Sequence, residues 1–303
     1  MPPIDLAALA ERLPGRPLTR FAPSPTGYLH LGHVVNAVYV WGIARALDGR
    51  VLLRVEDHDR GRCRPEYERA LLDDLDWLGL EPDPGPTEAL RQSDCGVVYQ
   101  RTLDDLAGAG LVFGCECSRR EVDAEAGGAV NRETRYSGRC RDRGLALERG
   151  RGVRLRMEAG EERFVDARLG ERRQVPSEQC GDLLLRDRLG NWTYQFAVAV
   201  DDLRHGVDLV IRGEDLVEST GRQLRVAGLL GRDRGPVFLH HPLVLGPDGA
   251  KLSKSAGDAG IRELRAAGLT APAVLGRAAC AGGLLDDPRP LAVADLPVLF
   301  LRS

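Results

Sequence analysis

From Thr19 to Asp57 the chain reads as a strand, a loop rich in glycine and proline, an apolar helix and a second strand, and few folds accept that order around such a loop. TRFAP leads into PSPTGYLHLGH, the apolar run VVNAVYVWGIARAL extends to Leu47, Gly49 stops it, and RVLLRVED follows. Val51, Leu52, Leu53 and Val55 form a nearly continuous apolar strand, as expected in a parallel sheet covered on both faces. A β-α-β unit whose helix starts in a glycine-containing loop offers backbone N–H groups and the positive end of a helix dipole to an anion. That is how α/β folds seat a nucleotide.

Prolines set the next boundaries. Pro65 near a first turn predicts a helix from Pro65 to Leu78, LEPDPGPTE is a surface turn, and a second amphipathic helix is expected over roughly 94–109. From Leu111 to about Gly190 the texture becomes rich in Arg, Glu and Gly, with two cysteine-containing clusters and short strand-like pieces such as GVRLRM; it reads as an insertion. Alternation resumes with NWTYQFAVAVDD, the strand GVDLVIRG and the helix EDLVESTGRQLRVAGLLG. PVFLHHPLVLGPDGAKLSKS offers two short strands around a Pro-Asp-Gly turn, and the 48 residues after Ser255 give one or two helices. The expected fold is α/β with a Rossmann-type parallel-sheet core, its first half in 17–110 and its second in 191–245. Residues 111–190 form the inserted subdomain, and 246–303 the KLSKS loop with a short helical stem.

With a formal net charge of −3 the whole molecule is no polycation, so any contact with nucleic acid must be local. No apolar run reaches the roughly 18 residues of a membrane span, and MPPIDLAALAERLPGRP lacks the plan of a signal peptide. A cytoplasmic protein without membrane contact is expected. Seven cysteines, an odd number, suggest reduced thiols. Cys63, Cys95, Cys180 and Cys280 lie singly and read as small packed side chains.

Of 42 basic residues only two are lysine, and both, Lys251 and Lys254, fall in AKLSKSAG. An ammonium is a compact charge on a flexible stem, whereas a guanidinium is broad and planar. A chain that writes Arg elsewhere has kept Lys in one place, as a tight approach to phosphate would require. His30-Leu31-Gly32-His33 stands at the expected loop-to-helix junction, where two imidazoles beside a glycine can donate hydrogen bonds to phosphate oxygens. Alone, such a pair reads more readily as a helix cap.

RFAPSPTGYLHLGH followed about 220 residues later by KLSKS resembles the HIGH and KMSKS signatures of class I aminoacyl-tRNA synthetases, and the long first form resembles their glutamyl branch. The resemblance runs from Arg20 to Ser255 and takes in LRVEDHDR, NWTYQFAVAVDD and VIRGEDLVESTGRQ. HLGH and KLSKS depart from the signatures only by exchanging one apolar residue for another. The resemblance implies catalytic roles for His30, His33, Lys251 and Lys254, and ATP contacts at His30, Gly32, His33 and Lys254. It implies an amino-acid pocket at Arg20, Ala22, Ser24, Glu56, Tyr194 and Arg212. Glutamate carries two carboxylates and one ammonium, which such a pocket matches in charge. Arg20 and Tyr194 are assigned to the side-chain carboxylate, Arg212 to the α-carboxylate and Glu56 to the ammonium.

Cys115-x-Cys117, eighteen residues, then Tyr136-x₃-Cys140 offers three thiolates and a phenolate. Spacing alone suits a tetrahedral metal site and a set of packed side chains equally. The pattern is similar to the zinc site of the glutamyl-queuosine tRNA(Asp) synthetases, short paralogues of glutamyl-tRNA synthetase, and so implies one structural Zn²⁺. Arg132, Arg135, Arg139, Arg141 and Arg143 form a local basic patch that suits an RNA backbone or plain solvation equally. His58, His205, His240 and His241 read as structural.

The ligand pattern, the length and the short sequence after KLSKS favour the glutamyl-queuosine family over a full glutamyl-tRNA synthetase. The expected substrates are L-glutamate, ATP with Mg²⁺, and the queuosine at the wobble position of tRNA(Asp), with no protein partner required. The alternatives are a truncated enzyme charging the 3′ end of tRNA(Glu) and a catalytically silent RNA-binding module.

Overall fold

The computed structural model describes residues 4–84, 90–125, 134–244 and 260–301. The strands are β1 (Leu18–Phe21), β2 (Arg50–Val55), β3 (Leu90–Arg91), β4 (Val112–Cys115), β5 (Gly152–Leu155), β6 (Glu162–Asp166), β7 (Gly170–Gln174), β8 (Leu183–Arg186), β9 (Leu209–Gly213) and β10 (Val237–His241). The helices begin with α1 (Leu6–Glu11), α2 (Leu31–Ala46), α3 (Pro65–Leu78), α4 (Gly96–Gly108), α5 (Arg119–Glu125) and α6 (Pro176–Gln179). They continue with α7 (Tyr194–Arg204), α8 (Thr220–Leu229), α9 (Ile261–Ala266), α10 (Ala271–Ala281) and α11 (Val298–Leu301).

β1, β2 and β3 pair in parallel, as do β9 and β10. The two groups meet where the Leu18 and Asp208 backbones join: Asp208 N–H donates to the Leu18 carbonyl at 3.1 Å, and its carboxylate accepts from Leu18 N–H at 2.8 Å. Across this seam the order is β3-β2-β1 then β9-β10-β6-β7, so the chain switches direction between β1 and β9. Crevices at such switch points, at the carboxyl ends of the strands, are where open α/β sheets bind ligands.

α2 explains much of this arrangement. Its run from Val34 to Ala44 is buried on nearly every side except at Asn36, so it is a core helix rather than a surface one. It packs on β1, β2 and β9 and is covered by α10 and α11. At Gly42 a Cβ would come within 2.3 Å of the Phe300 ring, so the glycine admits the C-terminal helix.

α3 has the expected limits because Pro65 occupies its first turn and Gly79, at φ 71°, closes it in the left-handed region. The next helix starts later than the expected 94. A 3₁₀ turn at Gln92–Cys95 precedes it, held by Ser93 N–H donating to Asp57 Oδ1 at 2.8 Å and Gln92 Nε2 to Asp201 Oδ2 at 2.9 Å. The expected helix after β9 is likewise split, with a 3₁₀ segment at Glu214–Ser219 before α8.

The stretch 111–190 divides between two sheets. β4, β5 and β8 form a separate antiparallel sheet that carries the cysteine cluster, whereas the β6–β7 hairpin extends the parallel sheet beside β10. Of the two strands expected around the Pro-Asp-Gly turn, β10 is present; the second, with the KLSKS loop, lies outside the described residues. No helix among the described residues is long and apolar enough to cross a membrane.

Candidate active site and thiol cluster

A cavity of about 470 Å³ opens at the carboxyl ends of β1 and β9. Arg20, Ala22, Ser24, His30, Gly32, His33, Glu56, Tyr194 and Arg212 all line it, so residues far apart in the chain converge as the fold closes. Lys251, Lys254 and Arg132 lie outside the described residues.

His30 is the N-cap of α2. Its Nδ1 accepts from Gly32 N–H at 3.1 Å, and His33 Nδ1 accepts from His30 N–H at 3.1 Å. A neutral imidazole that accepts at Nδ1 carries its proton on Nε2. Capping through Nδ1 therefore leaves Nε2 as the protonated nitrogen of a neutral ring, so a cap role does not exclude a donor role for this pair.

The buried charges fall into two groups. Arg20 Nε donates to Asp202 Oδ1 at 3.1 Å, Arg54 Nη1 donates to the same oxygen at 2.6 Å, and Arg54 Nη2 donates to Glu56 Oε1 at 2.9 Å. Burial would raise the Asp202 carboxyl, but Arg20 and Arg54 outweigh it and hold the group at about 2. Arg212 is tied instead to neutral partners: His240 Nε2 at 3.0 Å, Gln223 Oε1 at 2.7 Å and Thr220 Oγ1 at 2.9 Å. His240 Nδ1 in turn meets Asp166 Oδ2 at 2.7 Å. Burial pushes the Arg212 guanidinium below its ordinary value and raises the Tyr194 phenol. Arg212 thus presents a desolvated cation with no carboxylate in salt-bridge contact among the described residues, the setting in which a ligand carboxylate is bound most strongly.

Asn36, His58, Asp59, Arg62, Asp215 and His241 also line the cavity. His241 stacks on Tyr39 and its Nε2 meets Asn36 Nδ2 at 3.0 Å, and burial lowers it to about 4, so it is neutral there. Asn36 follows His33 by three residues on α2, a helical spacing that could have marked it as a neighbour. Asp202 carried no such signal. Its arginine partners stand 148 and 182 residues away in sequence.

The second site is the thiol cluster. Cys115 at the end of β4, Cys117 just after it, and Tyr136 and Cys140 on a loop converge, with the three Sγ atoms within 4.8 Å of one another. Cys117 and Cys140 Sγ are 3.6 Å apart, and the Tyr136 hydroxyl lies 3.6 Å from Cys115 Sγ and 3.9 Å from Cys117 Sγ. Cys140 N–H donates to that hydroxyl at 2.8 Å. Arg154 donates to Cys115 Sγ at 3.3 Å and covers the Tyr136 ring at 3.8 Å, while Arg143 donates to Cys140 Sγ at 3.6 Å. Gly181, at φ 65°, is required here, because a Cβ would stand 2.1 Å from the Tyr136 carbonyl.

This architecture is of the class I synthetase type: a parallel sheet with its ligand crevice at the switch point and the HLGH segment capping the helix beneath it. The model for tRNA synthetases class I (E and Q), catalytic domain, matches residues 18–275, and the chain belongs to that family. It is 39% identical over 297 residues to the glutamyl-Q tRNA(Asp) synthetase of Nitratidesulfovibrio vulgaris, covering 91% of this chain and 89% of that one. It is 40% identical over 260 residues to glutamate--tRNA ligase 1 of Acidithiobacillus ferrooxidans, covering 85% of this chain and 55% of that one. The chain thus spans about half the length of the latter relative. Among solved structures, the glutamate tRNA ligase of Elizabethkingia meningosepticum in complex with its amino acid superposes with a TM-score of 0.77 at 27% identity, over 93% of this chain and 64% of that one.

Proposed function

We propose that the cavity activates L-glutamate with ATP and that the glutamyl group is passed to the queuosine of tRNA(Asp). The observation that carries this reading is the convergence of two buried guanidiniums, Arg20 and Arg212, with the buried carboxylate of Glu56 in one cavity that also receives the start of α2. Arg212 takes the α-carboxylate, Arg20 and Tyr194 the side-chain carboxylate, and Glu56 the ammonium. An α-carboxylate oxygen attacks the α-phosphorus of Mg²⁺-bound ATP, the bond to the β-phosphate breaks, and pyrophosphate leaves. Nε2–H of His30 and His33 stabilises the charge that develops on the phosphates, and Lys251 and Lys254 meet the departing pyrophosphate. A queuosine hydroxyl then attacks the adenylate carbonyl, releasing AMP and a proton.

The thiol cluster fits one structural Zn²⁺. Four ligand atoms at zinc distances stand about 3.5–3.8 Å apart along the edges of a tetrahedron, close to the 3.6 and 3.9 Å separations found between cluster atoms. Cys115, Cys117, Tyr136 and Cys140 would hold the ion, with Arg143 and Arg154 favouring the thiolates from outside. The queuosine destination is supported by the glutamyl-Q relatives, which match over about nine-tenths of both chains, and by the Cys/Tyr pattern. Transfer to the 3′ end of tRNA(Glu) is the second reading, favoured by the equal identity to a glutamate--tRNA ligase.

Labelled glutamate supplied with ATP should appear on tRNA(Asp) that contains queuosine and not on the same tRNA without it. Labelling of queuosine-free tRNA(Glu) alone would overturn the acceptor assignment. Absence of glutamate-dependent exchange between pyrophosphate and ATP would overturn the activation step.

A further inference from the structure

Arg20 and Glu56 are each held at one atom and left open at another. Arg20 gives Nε to Asp202 and only a long 3.4 Å contact from Nη1 to the Ile211 carbonyl, and its Nη2 makes no hydrogen bond among the described residues. Glu56 accepts from Arg54 at Oε1, and its Oε2 likewise has no bond there. Between them runs an unbroken buried chain of alternating charge, Arg20 to Asp202 to Arg54 to Glu56, drawn from β1, α7, β2 and the residue after β2. All four side chains are at least nine-tenths buried, so water does not compete for these pairs and their geometry is stiff. Two cations and two anions also cancel, so the chain adds no net charge that would favour one ligand over another.

We propose that Asp202 and Arg54 are positioning residues that set the distance between the open atoms of Arg20 and Glu56, and so measure the ligand's length. This rests on the reading of the cavity as a glutamate pocket. Arg20 Nη2 receives one end of the amino acid, its side-chain carboxylate, and Glu56 Oε2 receives the ammonium at the other. With both jaws fixed by one shared carboxylate and one shared guanidinium, aspartate, shorter by one methylene, cannot reach both. Without that constraint, the two long side chains could close on the shorter ligand.

The experiment measures pyrophosphate–ATP exchange by the full chain and by Asp202→Asn and Arg54→Lys, each with glutamate and aspartate. Asp202→Asn should raise the KM for glutamate about tenfold or more, as expected when a buried charge loses its partner, and leave the KM for ATP within about twofold. The preference for glutamate over aspartate should fall by about tenfold, the scale of discrimination by one methylene. Arg54→Lys keeps the charge but not the two-armed geometry, so the same pattern should appear with smaller amplitude. A purely structural role predicts lower stability with an unchanged glutamate KM and an unchanged preference in the folded fraction, and that result overturns the proposal. Should Asp202→Asn fail to fold, Arg54→Lys decides by the same two readouts. Wild-type exchange with unshifted variants overturns the gauge alone, whereas no wild-type exchange with glutamate overturns the pocket reading on which it stands.

Discussion

The cavity at the switch point and the thiol cluster on the antiparallel sheet both gather polar groups from distant parts of the chain, but they satisfy them differently. In the cavity, protein charges answer one another: Asp202 serves two arginines and Arg54 serves two carboxylates, whereas Arg212 meets neutral partners among the described residues. In the cluster, the groups are all acids of one kind. Three thiols and a phenol compete for the same few hydrogen bonds, so that Cys117 is raised to about 12, first by burial and then by Cys140, while Cys140 is held at about 7 by bonds that outweigh its own burial. A site whose charges are already paired is preorganised for a ligand that completes it. Acidic donors that crowd together, with Arg143 and Arg154 placed against them from outside, suit a shared cation instead.

The largest effect should come from Arg212, a buried cation that no carboxylate touches among the described residues. Arg212→Gln keeps hydrogen-bonding capacity toward Gln223 and Thr220 but removes the charge, and glutamate-dependent exchange should fall by about a thousandfold in kcat/KM. Thermal stability should hold or rise, because an unpaired buried charge is lost. A variant that retains activity within about tenfold would show that the ligand carboxylate is bound elsewhere, and the contrast between paired and unpaired arginines would lose its functional meaning.

What could be read from the chain beforehand follows the same division. Arg20, Glu56, Tyr194 and Arg212 stood out only because the stretches around them resemble the glutamyl branch of class I synthetases, a resemblance carried by short local motifs. β2 and α3 were legible through an apolar run and through Pro65 with Gly79, signals that act over a few residues. Asp202, Arg54 and His240 were not legible, since packing of α7 brings Asp202 to Arg20 and Arg54, and pairing of β9 with β10 brings His240 to Arg212. The β6–β7 hairpin was hidden for a similar reason: its strands are short and charged, and nothing in ERFVD or GERRQ announces a partner as remote as β10. In the cluster the ligand set was visible as spacing, but its closure depends on Gly181, which lies 41 residues beyond Cys140 and whose missing Cβ makes room for Tyr136.

The cluster is tested next, with a smaller expected effect on catalysis. The wild-type chain should hold about one equivalent of zinc, and Cys115→Ser should lose it and melt several degrees lower, with the glutamate KM nearly unchanged because the cluster belongs to a different sheet. Metal retained by the variant would remove Cys115 from the ligand set. A glutamate KM that rose as much as in Arg212→Gln would show that the two sites are not separate.

The smallest effect concerns a carboxylate that resembles neither site. Asp74, on α3, is only 2% exposed, and its Oδ2 has no hydrogen-bond partner among the described residues. Burial raises it to about 6; Arg262 and Arg265 partly oppose the shift, while Asp73 and Glu263 add to it. The folded state therefore resists ionisation that the unfolded chain undergoes at about 4. As pH climbs from about 4 to about 6 the unfolded state sheds its proton first and the protein loses stability, and above the folded value the loss is complete. Asp74→Asn removes the penalty without removing the shape. Its melting temperature should exceed that of the wild type by about 2–4 °C at pH 7.5, with the difference shrinking to nothing near pH 4. A difference that stays constant across this range would mean that the asparagine gains a hydrogen bond of its own. Asp74 would then be a poorly satisfied acceptor, and its charge would not be what separates it from the paired carboxylates of the cavity.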